Sequence, residues 1–301
     1  MVLITGASGF IGGAITERLL GRAEVRGLTL HPNKNRFDER VRTCPYDFDR
    51  PGAMAEAFRG VDVLFNSYFV RFDYGGLTFD DAVSRNATLL AHAREAGVRR
   101  IVHVSVSNAS DRSDLPYYAA KGRIEALVRG SGLPFTILRP ALVVGAGDIL
   151  VNNIAYFLRR SPVFTIFGDG RYRVQPIAVD AFADIAVEAI EGGHAQATLE
   201  VAGPRDWTFR DLVRATREAV GSRAWLVRAP AWTALAGLTI AGAFLRDVVL
   251  TADEIRGLTR EYLVTPNPLR RGADFAAWLA EPGVASRLGA CYESELARHF
   301  R

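Results

Sequence analysis

The chain has 301 residues, 49% of them apolar and 23% charged, with a net charge of +4 and a pI near 9.3. This is the make-up of a soluble globular protein, long enough for one large domain or for a core with a smaller lobe. The basic residues are spread out, which makes no case for nucleic acid but suits an anionic ligand. Cys44 and Cys291 form no C-x-x-C pair and the five histidines lack ligand spacing, so neither a disulfide framework nor a metal site is expected.

Met1 opens directly into an apolar stretch, Val2-Leu3-Ile4-Thr5, which reads as a core strand. That start leaves no room for a signal peptide, and a cytoplasmic location is expected. Gly6-Ala7-Ser8-Gly9-Phe10-Ile11-Gly12 follows at once, and a helical pattern begins. Strand, glycine-rich turn and helix together make a dinucleotide phosphate cradle. Gly6 allows the tight turn, Gly9 lets a pyrophosphate approach the backbone, and Gly12 lets the helix pack close to the strand. The helix N-terminus then offers free N–H groups to the phosphates. Gly6, Ser8, Gly9, Phe10, Ile11 and Gly12 are therefore candidate cofactor residues. A glycine triplet alone is a common turn; its place between strand and helix gives it weight.

Val25 to Leu30 reads as a second strand, Val41 to Tyr46 as a third, and Pro51 to Phe58 as a short helix with proline at its start. Val61 to Phe65 gives a fourth strand, Asp80 to Glu95 a helix ended by Gly97, and Arg100 to Ser105 a fifth strand. Tyr117 to Val128 is helical, and Phe135 to Arg139 is a sixth strand stopped by Pro140. Strands alternating with helices predict an α/β fold: a Rossmann-type, doubly wound parallel sheet with a smaller, mostly helical C-terminal substrate lobe. Beyond Pro140 the pattern loosens. Helices are expected at 149–158, 179–190, 209–220 and 230–245, a strand at 198–202, and a turn at Gly168-Asp169-Gly170. The expected division is a cofactor core at 1–145 rejoined by 176–202, with the lobe formed from 146–175 and 203–301.

Residues 229–245 carry no charge between Arg228 and Arg246. Seventeen residues is short for a membrane span, so a buried or groove-lining helix is the expected reading, with membrane or greasy-substrate contact as the alternative. Trp207, Trp225, Trp232 and Phe244 are expected to pack in a core, the alternative being a hydrophobic pocket.

Tyr117 and Lys121 stand four apart on one helix face. Free tyrosine, with a pKa of about 10, is a poor base at neutral pH, but a nearby ammonium stabilises its phenolate. Lys121 can also reach the cofactor ribose. A tyrosine tuned in this way can move a proton at a carbinol oxygen while hydride passes to or from nicotinamide. Ser107, with Ser105 next, would hold the substrate oxygen, because ligands gather at the carboxyl ends of parallel strands. Tyr118, three residues from Lys121, is the alternative register. Y-x-x-x-K on its own is most often a surface pair; the order of loop, serine strand, Tyr-Lys helix and sixth strand favours catalysis.

With these residues in place, roughly the first 200 residues resemble a short-chain dehydrogenase/reductase of the extended and atypical branch, which includes sugar-nucleotide epimerases and relatives of a complex I accessory subunit. Thr5 to Gly12 is similar to that branch's cofactor loop. By this resemblance Asp47 caps the adenine amino group, Asn86 supports the active site, and Leu138 to Gly145, with Pro140 and Val143, forms the turn beside the nicotinamide. The stretch from Gly168 to Gly170, Arg173 and Val179-Asp180 resembles part of a substrate lobe. The chain departs from the epimerases in the short segment before Tyr117: eleven residues from Ser105 and nine from Ser107. The C-terminal 100 residues match no epimerase lobe, and their 250–255 and 292–296 stretches read as helix caps and faces.

The end of the second strand selects the cofactor. NAD enzymes place an acid there for the ribose 2′-hydroxyl, and NADP enzymes supply a cation for the 2′-phosphate. Here Thr29 to Arg36 contains no acid and offers His31, Asn33, Lys34 and Arg36. NADP(H) is favoured, with NAD(H) as the alternative. The expected function is an NADP(H)-dependent oxidoreductase acting on an alcohol or carbonyl of a small-molecule substrate. The alternatives are a nucleotide-sugar epimerase or dehydratase holding NAD(P) tightly, favoured by the Arg173 and Asp180 region, and a non-catalytic NAD(P)H sensor or assembly subunit. A homodimer through the helices flanking the fifth strand is open.

Overall fold

A computed structural model of the protein describes residues 1–230, 247–294 and 296. The expected helix at 230–245 lies outside them beyond Pro230, as do Trp232, Phe244, Glu295 and His299. In chain order the elements begin with β1 (Val2–Thr5), α1 (Phe10–Leu19), β2 (Val25–Thr29), β3 (Arg42–Pro45), α2 (Pro51–Phe58), β4 (Val63–Asn66), α3 (Phe79–Glu95), β5 (Arg100–Val104), α4 (Pro116–Gly130) and β6 (Phe135–Pro140). They continue with β7 (Leu142–Val144), α5 (Leu150–Arg160), β8 (Val163–Phe167), β9 (Arg173–Val174), β10 (Pro176–Ala178), α6 (Val179–Ile190) and β11 (Ala197–Ala202). The remaining elements are β12 (Trp207–Thr208), α7 (Phe209–Ala219), β13 (Trp225–Ala229), α8 (Ala252–Thr259), β14 (Leu269–Arg270), α9 (Phe275–Leu279) and α10 (Val284–Arg287). The chain divides into two compact units: Met1–Pro140 with Asp180–Glu200, and Ala141–Val179 with the residues from Val201 onward.

The strand order of the main sheet is β14-β11-β6-β5-β4-β1-β2-β3. Its β3-β2-β1-β4-β5-β6 run is the doubly wound arrangement, and all five pairings in that run are parallel. The order reverses at β1, which pairs with β2 on one side and β4 on the other, so the glycine turn leaves the sheet at its switch point. Val2, Leu3, Ile4 and Thr5 are all buried, as expected for a strand covered on both faces. Leu3, Leu28, Phe58, Leu64 and Leu89 form one core cluster, and Leu90, Ile101, Ile124, Val128 and Ile137 form another. Each such side chain contributes about 1.5–3 kcal/mol.

Local chemistry sets the helix ends. Thr78 and Asp81 make a reciprocal capping box at the start of α3, and Pro116 and Pro51 stand in the first turns of α4 and α2. Helix α6 belongs to the first unit from Asp180 on, where Arg18 of α1 binds both Asp180 (2.9 Å) and Asp184.

In the second unit β7 pairs with β10, β12 with β9, and β13 with β8. The parallel β8–β13 pair joins residues more than fifty positions apart, and local patterning marked neither strand. Trp225 lies on it and is 76% exposed, which corrects the expectation of core packing: it shares the open side of β13 with exposed Val227, while Leu226 between them packs on the core. Trp207 is half-buried, edge-on to Phe275, and donates its indole N–H to Asp274. The capping stretch beginning at Thr251 is a capping box with Glu254 at the start of α8.

Candidate functional site

The cofactor end begins at Gly6, whose φ of +67° is open to glycine at little cost. The Gly9 N–H donates back to the Gly6 carbonyl at 2.8 Å, closing the turn. A Cβ on Gly12 would stand 2.3 Å from the Gly6 oxygen, so only glycine allows α1 to start this close to the loop. Ser8 Oγ is buried and has no hydrogen-bond partner among the described residues. A cradle that a Cβ would fill and an unsatisfied hydroxyl fit a dinucleotide phosphate.

Beyond β2 the chain makes a 3-10 turn over Pro32–Lys34, with Asn33 and Lys34 exposed and His31 at its start. Arg36 reaches back to α1. Its guanidinium pairs with Glu17 at 2.9 Å and lies 4.9 Å from the Phe37 ring centre. Glu17, Leu20, Arg36, Phe37 and Arg40 line an open depression of about 430 Å³. Asp47 stands just past β3, and its two oxygens accept from Arg50 N (2.9 Å) and Nε (3.0 Å). An adenine amino group there would share an oxygen with Arg50.

The second cluster forms where β5 ends against α4. Lys121 Nζ is buried and donates to the Val104 carbonyl at 3.1 Å, which places the ammonium at the carboxyl end of β5, at the peptide bond that leads into Ser105. Burial pushes its pKa down to about 7, partly opposed by the charge of Glu125. Ser105 Oγ is buried with no hydrogen-bond partner among the described residues. Ser107, also buried, is held by its N–H to the Pro140 carbonyl at 3.1 Å, just as Ser105 N–H is held by Leu138. Tyr117 is half-buried, edge-on to Phe69 (5.3 Å) and Phe79 (6.2 Å). Lys121 Nζ lies 4.3 Å from the centre of the same Phe69 ring, so one aromatic touches both members of the pair. Tyr118 is buried, with its carbonyl tied to Ser110 N, which leaves Tyr117 as the more accessible phenol.

Three supports of this corner escape a local reading. Glu125, 1% exposed, accepts two hydrogen bonds from Arg139 (2.7 and 2.6 Å) and one from Arg129 (2.8 Å). Arg139 also binds Glu200 (3.0 Å) and the Ala109 carbonyl (3.1 Å), and these carboxylates hold its pKa above the usual arginine range. The carboxylate thereby fastens α4 to β6; its only sequence signal is its place four residues after Lys121. Gly122 is the second support. A Cβ there would stand 2.2 Å from Asp111 N, so the short segment before Tyr117 lies directly on α4. Phe69 is the third. Asn86, read by resemblance as a support, is fully buried; it accepts from Asn66 at 2.7 Å and donates to the Tyr68 carbonyl at 3.2 Å. Asn66 in turn uses its carbonyl to hold His103 Nδ1 at 3.1 Å. Burial, then the charge of Lys121, pushes the pKa of His103 down to about 3, so it stays neutral near pH 7.

Val143 lies in β7, in the second unit, paired with Ile177 of β10. In that unit Arg173 is bound by Glu261 (2.8 Å) and lies 3.5 Å from Asp206. Among the described residues no group of three or more His, Cys, Asp or Glu is placed to hold a metal, and no helix is long and apolar enough to cross a membrane.

With this geometry in view, residues 6–148 match a protein family described as NAD(P)H-binding. The chain is 24% identical over 290 residues to a mitochondrial NADH dehydrogenase [ubiquinone] 1 alpha subcomplex subunit 9 of Arabidopsis thaliana, covering 89% of this chain and 71% of that one. It is 27% identical over 230 residues to a (4-alkanoyl-5-oxo-2,5-dihydrofuran-3-yl)methyl phosphate reductase of Streptomyces griseus, covering 73% and 74%. Its fold is similar to that of an NADPH-dependent quinone oxidoreductase of Escherichia coli complexed with NADPH, with a TM-score of 0.75 at 21% identity, over 93% of this chain and 99% of the other.

Proposed function

Starting from an NAD(P)H-binding domain at residues 6–148, we propose that the chain is an NADP(H)-dependent oxidoreductase interconverting an alcohol and a carbonyl on a small molecule. The observation that carries this is the meeting of Lys121 with the end of β5, beside the unsatisfied Ser105 hydroxyl and one turn after Tyr117. The glycine turn and Arg36 would hold the cofactor, which when bound supplies or accepts the hydride. Tyr117 gives its proton to the carbonyl oxygen as the carbon is reduced, and takes it back in the reverse direction. Lys121, when protonated, stabilises the phenolate left behind. Ser105 donates to the same oxygen, in preference to Ser107, because its hydroxyl is the one lacking a partner among the described residues.

Arg173 and Asp180, the residues that favoured an epimerase on sequence, are each engaged in ion pairs within their own units, so they support that reading no more than reduction. A second reading, a non-catalytic NAD(P)H-binding subunit, is favoured by the likeness to a mitochondrial NADH dehydrogenase [ubiquinone] subunit over 89% of this chain.

The test is NADPH oxidation against a panel of aldehydes, ketones and quinones, for the wild type and Tyr117→Phe. The reductase reading predicts that Tyr117→Phe lowers turnover of an aldehyde or ketone about 10²–10⁴-fold, with NADPH affinity within about twofold of wild type. Equal turnover by the two proteins refutes the role of Tyr117. NADPH binding with no turnover of any panel member moves the protein to the subunit reading.

A further inference from the structure

Helix α1 contains one glycine more than the phosphate turn needs. Gly6, Gly9 and Gly12 serve the turn; Gly13 lies inside the helix, where glycine is a poor choice next to alanine. A Cβ built on Gly13 would stand 2.4 Å from Arg36 Nη2, 2.6 Å from its Cζ and 3.0 Å from its Nε. All three nearest atoms belong to one guanidinium, and none to backbone. A side chain at position 13 would therefore displace the end of Arg36 and leave the helix where it is.

We infer that Gly13 is a cofactor-specificity residue: its missing side chain seats the Arg36 guanidinium on α1, one residue past the phosphate turn, where it receives the 2′-phosphate of NADP(H). The inference rests on the NADP(H) reading and deepens it. The seat has two further walls. Glu17, one turn along the same helix face, pairs with Arg36 at 2.9 Å, and the Phe37 ring stacks against it at 4.9 Å. A planar guanidinium held in this way can give two parallel hydrogen bonds to a phosphate. The 30–37 segment contains no carboxylate, so it offers no acidic acceptor for the 2′-hydroxyl of NAD(H). Glu17 is the counter-ion of Arg36 in the free protein, and a bound phosphate replaces it in whole or in part. Gly13 is thus a positioning residue, and Arg36 the one that touches the cofactor.

The experiment is fluorescence titration of the full chain with NADPH and with NADH, for the wild type, Gly13→Ala, Gly13→Ser, Arg36→Ala and the Gly13→Ala/Arg36→Ala pair, alongside thermal melts. Gly13→Ala is expected to weaken NADPH binding about tenfold, to leave NADH within about twofold, and to melt no lower than wild type. Gly13→Ser gives the same change in selectivity from a second side chain. In the Arg36→Ala background, Gly13→Ala adds nothing, because the group it displaces is gone. Equal weakening of both cofactors by Gly13→Ala and Gly13→Ser overturns the inference, since the glycine then serves the shared pyrophosphate. Unchanged NADPH binding in both, with a loss in Arg36→Ala, overturns it too: Arg36 then reaches the phosphate without its seat. A wild-type NADPH:NADH ratio in Arg36→Ala overturns the seat as well, since Arg36 then carries none of the preference; a ratio near one in the wild type removes the NADP(H) reading itself, which separates that failure from the failure of the seat.

Discussion

The two ends of the candidate site are built by opposite means. At the glycine turn the site consists of side chains left out: Gly6 at positive φ, Gly12 against the Gly6 carbonyl, and Gly13 under Arg36. At the corner of β5 and α4 it consists of polar side chains put into the interior: Lys121, Glu125 and Ser105, all buried. The first construction asks only that space be kept free, and its residues are neighbours in the chain. The second asks that every buried charge find a partner, and the partners come from distant strands. The turn should therefore fail by clashing, with losses confined to the cofactor, and the corner by losing stability and chemistry together.

The largest effect is expected where the corner depends on a buried charge. Glu125→Ala removes the carboxylate that fastens Arg139 to α4 and should cost about 3–5 kcal/mol in urea denaturation. A loss under about 1 kcal/mol would mean that Glu200 alone satisfies Arg139 and that the corner is no more demanding than a surface pair.

Gly122→Ala comes next. The added methyl meets backbone at Ser110 and Asp111, which cannot rotate away as a side chain does. Overpacking of this kind costs about 1–3 kcal/mol, and it should lower kcat by shifting the segment between Ser107 and Tyr117, with NADPH affinity unchanged. Paired with Gly13→Ala, it compares a glycine facing backbone with a glycine facing a movable guanidinium. Similar melting temperatures for the two variants would erase the distinction.

The smallest expected step, taken one pH unit at a time, is a pH dependence of stability and activity. In the free protein the pKa of Lys121 is pushed down to about 7, whereas in the unfolded chain it returns to about 10.4. Between these values the unfolded state binds the extra proton, so stability rises with pH across the window, by at most about 1.4 kcal/mol per pH unit. Activity should run the other way. The ammonium that stabilises the Tyr117 phenolate is lost as pH climbs through about 7, and kcat/KM for carbonyl reduction should fall there. Lys121→Met should flatten the stability slope. A kcat/KM that is level from pH 6 to 9 would detach Lys121 from the proton transfer.

The same contrast explains how much was legible in the sequence. The strands and helices of the first 140 residues follow their expected ranges within a residue or two. Alternation, the proline start at Pro51 and the stop at Gly97 are local signals, and the doubly wound α/β class follows from the alternation; Pro116, in the first turn of α4, was not among the signals read. The glycine turn was legible for the same reason. What escaped was pairing across sequence distance: β8 with β13, Glu125 with Arg139, Gly13 with Arg36, and Gly122 with the 110–111 backbone. A glycine inside a helix reads as a weak spot until the side chain that occupies its place is known. Trp225 shows the converse, since a large apolar residue says nothing about which face of a two-stranded sheet stays open.

The central claim, a cofactor end shaped for a 2′-phosphate in a reductase, is met most directly by titrating purified wild-type protein with NADPH and NADH after removal of any nucleotide it carries. The account predicts NADPH binding at least about tenfold tighter than NADH, with bound cofactor exchanging freely. Tightly held NAD that does not exchange, or equal affinity for the two, would contradict it.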